Sequence, residues 1–507
     1  MLRRSLVPLL ALVLSPCATA QKKDPLEEAE HLLRSGEFPA MQGAQLCRTL
    51  NSKRSIELLL KLLVASQPHY RDIAWEGLPG FTDAEARKRV EQELRTNPSS
   101  DVQQWCVELL GHYADPVYGK TVQEFANSKD LDVLRAVARA LGQMRYEPAS
   151  KRLAELTASK DAIVRANAFE ALARIQPEAN QDRLQQALSD ADGGVRTALL
   201  AALAEIYPEL AEPRSIAMLT DGDWRVCQQA IDNLARPLAQ TWWSCWLAGL
   251  PDPTPFLGAA ETSAAAIEAL VKATRNPRPL VAQHAQAVLR LFTGRSWTTA
   301  SQWQGWWQAR KDGAPASTGD RPGETPAAPL PSFFGLYVLS DHVAFLIDKS
   351  NDMNRLLPSE QRSKADAALD ELEKTLAQLP DGIQCQVFGY AAEVTAFPKK
   401  PAQLTARERK AMVNFVRSQP NANQKDIWNA LGTVMRDPSI DTVYLLSSGE
   451  PEIGLYVHYN RVTEHLRDLN RFHKVVIHAV SYTTNDWHRD QLRKIAAVTG
   501  GQFTAKD

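Results

Sequence analysis

The sequence lacks most of the features that announce a chemistry. Its 507 residues include only six cysteines, scattered and without a CxxC pair, which excludes a disulfide framework. Lysine plus arginine number 58 against 59 aspartates and glutamates, so no global field exists to recruit nucleic acid or an anionic membrane. No apolar run is long enough to cross a bilayer as a helix. HExxH, GxxxxGK followed by Ser or Thr, and GxSxG are all absent, which leaves zincin, P-loop and nucleophile-elbow chemistry without support.

What is present begins with an export-like start. Arg3 and Arg4 precede the short apolar run "LVPLLALVL" (6–14), and "ATA" (18–20) offers small residues before Gln21. The mature chain is expected to begin at Gln21 and to be periplasmic or extracellular. Lipoprotein processing at Cys17, in "LSPC", is the rival reading, disfavoured by the proline beside the cysteine. Cys47, Cys106, Cys227, Cys245 and Cys385 read as small buried apolar residues.

A period of 31 residues follows. Ser99, Asp130, Asp161, Asp192 and Asp223 share it, as do Val102, Val133, Val164, Val195 and Val226, and Leu110, Leu141, Leu172, Leu203 and Leu234. The Ser/Asp position is an N-cap, and the Val and Leu registers lie on one helical face. A second amphipathic helix carries Val122, Leu153 and Leu184, a register that lapses at Ser215. Two short helices cannot bury their stripes alone, but stacked copies can, giving an α-solenoid. The period and the D-x-x-V-R helix start (Asp161 to Arg165) resemble HEAT repeats of the short, PBS-lyase-like kind over about 99–236, and more loosely over 25–98. The resemblance implies a binding surface rather than a reaction.

Seven of the twelve tryptophans fall between 242 and 307: Trp242, Trp243, Trp246, Trp297, Trp303, Trp306 and Trp307. An aromatic ligand platform is one reading. The spacing of Trp303, Trp306 and Trp307 favours a cap that seals the end of the solenoid. "KDGAPASTGDRPGETPAAPLP" (311–331) has almost nothing to bury and reads as a tether. The two halves are therefore expected to fold independently, with 333–507 soluble and cooperative by itself.

From Phe333 the pattern changes to apolar strands alternating with helices: "HVAFLID" (342–348), "IQCQVFGY" (383–390), "DTVYLLSS" (441–448) and "KVVIHAVSY" (474–482). This predicts a doubly wound α/β domain around a parallel sheet, with ligands at the carboxyl ends of the strands. "FLIDKSNDM" (345–353) and "SSGEP" (447–451) sit at such ends. Residues 335–505 are similar to von Willebrand factor A domains, whose metal-ion-dependent adhesion site holds Mg²⁺ through Asp-x-Ser-x-Ser, a loop Thr and an Asp after the fourth strand.

Carried over residue by residue, the resemblance implies ligands at Asp348 and Ser350. Asp352 stands at the second Ser, Lys425 at the Thr and Ser448 at the Asp. Two readings follow. In one, the Lys425 ammonium replaces the cation, held by Asp348 and Asp352, and no cofactor is needed. In the other, Asp348, Ser350 and Asp352 bind Mg²⁺, Asp426 substitutes for the lost ligand, and Lys425 turns to solvent. His458 and His465 read as a solvated helix surface, and a Ser447 or Ser448 pair with His478 lacks a nucleophile elbow.

The expected organisation is a signal peptide (1–20), a HEAT-like solenoid with a Trp-rich cap (21–310), a linker (311–332) and a von Willebrand factor A-like domain (333–507). The expected function is a non-enzymatic protein–protein scaffold or adaptor in the cell envelope, with protein partners, no nucleic acid and no membrane span. The alternatives are a Mg²⁺-dependent adhesion protein acting through Asp348 and Ser350, and an accessory subunit of an envelope enzyme complex.

Overall fold

The structure is a computed structural model that describes residues 24–65, 67–247, 263–293, 295, 297–312, 330–357 and 361–506, with side chains omitted for 236–247. The expected signal, most of the linker, Cys17, and the side chains of Trp242, Trp243, Trp246 and Cys245 lie outside the described residues.

Each 31-residue period folds as a helix pair. The caps form where the carboxylates fall: Asp130, Asp161 and Asp192 each accept from backbone N–H groups of their own first turn. Ser99, with its shorter side chain, makes no such bond. The Val102-to-Val226 and Leu110-to-Leu234 registers are buried in every copy. Val122, Leu153 and Leu184 are buried too, and where their register lapses Ser215 is buried and accepts from Asn233 Nδ2 at 3.2 Å. Arg165 and Arg196, again 31 apart, and Arg135, one position off that register, each grip the next copy: Arg135 meets Asp161 at 2.6 Å, Arg165 meets Asp190 at 2.9 Å and Arg196 meets Asp221 at 2.6 Å. Planar guanidinium forks suit that two-oxygen contact. At the far end Trp303 and Trp307 are buried and Trp297 stacks edge-on to Trp303 at 5.0 Å, as a cap requires.

One helix layer faces the C-terminal domain: α1 (Pro68–Gly77), α2 (Ser100–Tyr113), α3 (Leu131–Gln143), α4 (Ala162–Ile175), α5 (Gly193–Ile206), α6 (Trp224–Leu247) and α7 (Pro279–Thr293).

The C-terminal domain has a six-stranded sheet built from β1 (His342–Asp348), β2 (Gln384–Tyr390), β3 (Val394–Gln403), β4 (Thr442–Ser447), β5 (Val476–Ser481) and β6 (Phe503–Ala505), in the order β3-β2-β1-β4-β5-β6. All neighbours run parallel except β3, which is antiparallel to β2 at the edge. The sequence pattern missed β3, since "VTAFPKKPAQ" carries two prolines and two lysines; an edge strand tolerates both. Along β1, Phe345 and Ile347 join one core with α8 (Lys364–Gln378) and α9 (Ala406–Ser418). Ala344 and Leu346 join the opposite core with α10 (Ile427–Met435), α11 (Tyr459–His473) and α12 (Asp486–Val498). The fold is therefore a HEAT-like solenoid followed by a doubly wound, von Willebrand factor A-like domain.

The two halves do not stand apart. Helix α11 runs across the facing layer in repeat order: its start and middle meet α1, its middle also meets α2 and α3, and its end meets α4, α5 and α6. Phe472 is buried in the same hydrophobic cluster as Val195, Val226 and Val281, a burial worth about 1.5–3 kcal/mol. The expectation of independent halves is corrected by this seam: a composition with little to bury in the tether says nothing about contacts made elsewhere.

The repeat cores give the first test. Leu172 is 2% exposed, so Leu172→Ala should cost about 2–5 kcal/mol, read as a lowered denaturation midpoint. An unchanged midpoint would mean that the stripe is not buried.

Candidate functional site

At the carboxyl end of the sheet, Asp348 leaves β1 fully buried. Its Oδ1 accepts from Ser350 N at 2.7 Å, and its Oδ2 accepts from Ser448 N at 2.8 Å and Ser448 Oγ at 2.7 Å. Ser350 Oγ lies 3.1 Å from Ser448 Oγ. Thus Ser448 neutralises Asp348 as a donor at the position where an aspartate would repel it.

Lys425 is 1% exposed. Its ammonium donates to Asp352 Oδ2 at 3.0 Å, with Glu452 Oε1 at 4.0 Å. Glu452 also accepts from Lys425 N at 3.1 Å. Burial acts to raise the Asp352 pKa, but the Lys425 hydrogen bond and charge outweigh it and hold the carboxyl below its usual range. The expected cluster is therefore divided: Asp352 holds the lysine, whereas Asp348 is satisfied by Ser350 and Ser448. Asp426 stands elsewhere. It caps α10, accepting from Asn429 N at 2.8 Å, and packs so closely on Gly454 that a Cβ there would fall 2.4 Å from its Oδ1.

The second polar constellation is the seam itself. Asp72, on α1, accepts from Val457 N at 2.7 Å and His458 N at 2.8 Å. A solenoid carboxylate thus fixes the chain where it enters a helix of the other domain. Burial raises the Asp72 pKa, opposed by the His458 amide and by Arg461. Arg461, 3% exposed at its side chain, lies 3.8 Å over the Trp75 ring and 4.9 Å over Tyr456. Glu464 accepts from Trp75 Nε1 at 2.9 Å and from Arg461 at 2.9 Å, and sits 3.3 Å from His112 Nε2. Burial would raise the Glu464 pKa, but His112 and Arg461 prevail and lower it to about 2. Arg139 pairs with Asp468 and Arg471 with Glu170, and Lys474 reaches Asp232 at 2.6 Å. Arg278 Nη2 binds the buried Asp441 at 2.6 Å.

His458 and His465, read from sequence as solvated, are both corrected. His458 is 6% exposed, between Glu37 and Glu76. Burial lowers its pKa, but Glu37, Glu76 and Asp72 outweigh that and raise it to about 9. His465 stacks on Tyr456 at 3.9 Å, and burial together with Arg461 holds its pKa well below the usual value. Ser447 Oγ donates to Gly449 O at 2.8 Å, while His478 stacks on Tyr444 and accepts from Gln502 N at 3.1 Å, so the two are engaged separately.

Sequence reasoning missed Glu452, Asp72, Trp75, Arg461 and Glu464. A signal existed for the solenoid side: Glu108, Arg139 and Glu170 share the 31-residue period but change charge from copy to copy. The same holds for Asp132, Ile163, Gly194 and Arg225. These are the positions that face the other domain. Gly194 is one place where a side chain would not fit, its Cβ falling 3.0 Å from Phe472 O.

Comparison with known proteins agrees with this architecture where it can be read. Residues 88–173 and 151–235 match the family model for HEAT repeats, so the central solenoid is an array of them. No curated protein matches the chain. Among solved structures, a von Willebrand factor type A protein from Catenulispora acidiphila is 18% identical, covering 34% of this chain and 40% of its own, with a TM-score of 0.27. The CpcE–CpcF complex of phycocyanin lyase from Nostoc sp. PCC7120 is 15% identical, covering 45% and 92%, with a TM-score of 0.31. Proximal thread matrix protein 1 from the mussel byssus is 15% identical, covering 32% and 40%, with a TM-score of 0.24. The chain thus spans 40% of the Catenulispora protein's length. The von Willebrand factor A-like character of the C-terminal half stands on its own sheet order and strand-end loops.

Glu464 gives the seam a pH signature. Its pKa in the folded chain lies below the usual 4.5, so its contribution to stability is complete above that value and is lost as pH falls toward about 2. The melting-temperature gap between the native chain and Glu464→Gln should be present at pH 6 and shrink between pH 4.5 and 2. A gap constant over that window would contradict the assignment.

Proposed function

We propose that the protein is an exported, non-enzymatic scaffold in which the HEAT array holds the A-like domain and presents the carboxyl end of its sheet to a protein partner. The observation that carries this reading is the Lys425 ammonium, buried against Asp352 at 3.0 Å. Mg²⁺ demands oxygen ligands in near-octahedral geometry; a buried cation beside Asp352 and a hydroxyl donor on Asp348 do not fit it. The loops at this end are neutralised internally, and recognition passes to their surroundings. Leu356, Leu455 and Trp487, which follow β1, β4 and β5, are 62%, 37% and 48% exposed. Exposed apolar residues on loops that follow neighbouring strands are what a protein contact would use. The facing layer of the solenoid is already occupied by α11, so it supports the domain rather than the partner. The export-like start of the sequence is what supports a role at the cell envelope.

The test uses the full-length chain as bait in envelope extract. The same partner should be captured in Mg²⁺ and in EDTA, and be lost with Trp487→Asp combined with Leu356→Asp. Lys425→Thr with Ser448→Asp should make the melting temperature respond to millimolar Mg²⁺, whereas the native chain should not respond. A native chain stabilised by Mg²⁺, or capture abolished by EDTA, would overturn the reading.

A further inference from the structure

A cluster at the edge of the seam has no role in the scaffold described so far. Glu37 opens the helix Glu37–Leu50, His69 lies in the first turn of α1, and His458 is the N-cap residue of α11. Three separate stretches of chain, two from the solenoid and one from the A-like domain, bring these side chains together. Glu37 Oε1 is 3.4 Å from His458 Nε2 and 3.8 Å from His69 Nδ1. The three ligand atoms all lie within 4.8 Å of one another. His69 Nδ1 and His458 Nε2 are both buried, and neither has a hydrogen-bond partner. The His458 side chain is 8% exposed. A buried ring nitrogen left without a well-formed bond, facing a second imidazole and a carboxylate, calls for an occupant.

We propose that Glu37, His69 and His458 form a Zn²⁺ site that clasps the solenoid to the A-like domain. Four observations converge on a zinc ion. Two imidazoles and one carboxylate are a donor set that zinc favours, leaving one position for water. Zinc bonds of about 2.0–2.1 Å in tetrahedral geometry place ligands about 3.4 Å apart, close to the two Glu37 distances, so a small approach of the two rings completes the site. Behind His458, Glu76 Oε1 lies 3.5 Å from Nδ1 and accepts from Asn460 at 2.9 Å. A carboxylate on the far ring nitrogen fixes the tautomer that presents Nε2 to a metal. Finally, Asp72, Glu37 and Glu76 gather around the His458 imidazole, so negative charge is in place for a metal that takes the position of the imidazole proton. The side chains of His69 and Glu37 are 35% and 41% exposed, which leaves an entry path from solvent.

The site differs in kind from the strand-end cluster. There, a lysine already occupies the region of the carboxylates; here, no ammonium or guanidinium pairs with Glu37 among the described residues. The consequence is mechanical: metal would join the first two helix pairs of the solenoid to the N-terminus of α11, adding to the Asp72 contact and tightening the seam at its otherwise open end.

The experiment is equilibrium dialysis of the full-length chain against Zn²⁺ at pH 8, with proton release followed because the metal must displace the proton that Glu37, Glu76 and Asp72 favour on His458, and then Co²⁺ substitution. The expected result is one Zn²⁺ per chain, a raised melting temperature, and a visible Co²⁺ spectrum of tetrahedral intensity. His69→Ala and Glu37→Gln, both at partly exposed positions, should lose the Co²⁺ spectrum, weaken Zn²⁺ binding by more than about tenfold, and lose the rise in melting temperature that Zn²⁺ gives over each variant's own value in EDTA. Glu76→Gln, at the positioning residue, should weaken binding by about tenfold while keeping the tetrahedral spectrum. Absence of stoichiometric Zn²⁺, or binding indifferent to His69→Ala and Glu37→Gln, would overturn the proposal.

Discussion

Everything in the assembly depends on how a heavily charged helix is accommodated against a solenoid. Helix α11 carries Arg461, Glu464, His465, Asp468 and Arg471, a set that would be expensive to remove from water singly. The solenoid answers four of them: Trp75 and His112 receive Glu464, Trp75 lies under Arg461, Arg139 meets Asp468 and Glu170 meets Arg471, while His465 stacks on Tyr456 of its own domain. Asp72 holds the two amides that lead into the helix. The match is positional, because α11 crosses the facing helices in order. Phe472 closes the contact by entering the solenoid core.

This arrangement separates two jobs that a lone A-like domain would combine. One face of the domain is committed to the solenoid through α11 and the loop that precedes it, while Leu356 and Trp487, after β1 and β5, remain exposed. At the carboxyl end of the sheet the chain solves the problem of convergent carboxylates with its own atoms. Ser448 donates to Asp348 and Lys425 to Asp352, so each carboxylate has a donor from its own chain. One is met by a hydroxyl and a backbone amide, the other by an ammonium.

The fold was legible wherever periodicity controlled burial. The Val and Leu registers, the aspartate caps and the apolar strands each carried a spacing tied to one physical role, and strands ending in Asp348 and Ser448 pointed to the right end of the sheet. The site was half legible. The resemblance brought Asp348, Ser350, Ser448, Asp352 and Lys425 to one region, but spacing could not divide them into two sub-clusters or reveal Glu452. It also failed at α11. A polar helix reads as solvated, and only a partner with complementary charges at the right pitch makes it internal. The residues that gave that partner away, Glu108, Arg139 and Glu170, are the ones that vary within an otherwise steady repeat.

The central claim is that α11 is held by the solenoid rather than by its own domain alone. Hydrogen exchange of the full-length chain, read on peptides covering 456–474 and 68–77 in the native protein and in Asp72→Ala, tests it most directly. The account predicts strong protection of both segments in the native chain and a shared loss of protection in the variant, since removing the carboxylate leaves the buried Val457 and His458 amides unpaired and costs about 1–3 kcal/mol at the seam. Rapid exchange of 456–474 in the native chain, or loss confined to one segment, would contradict it.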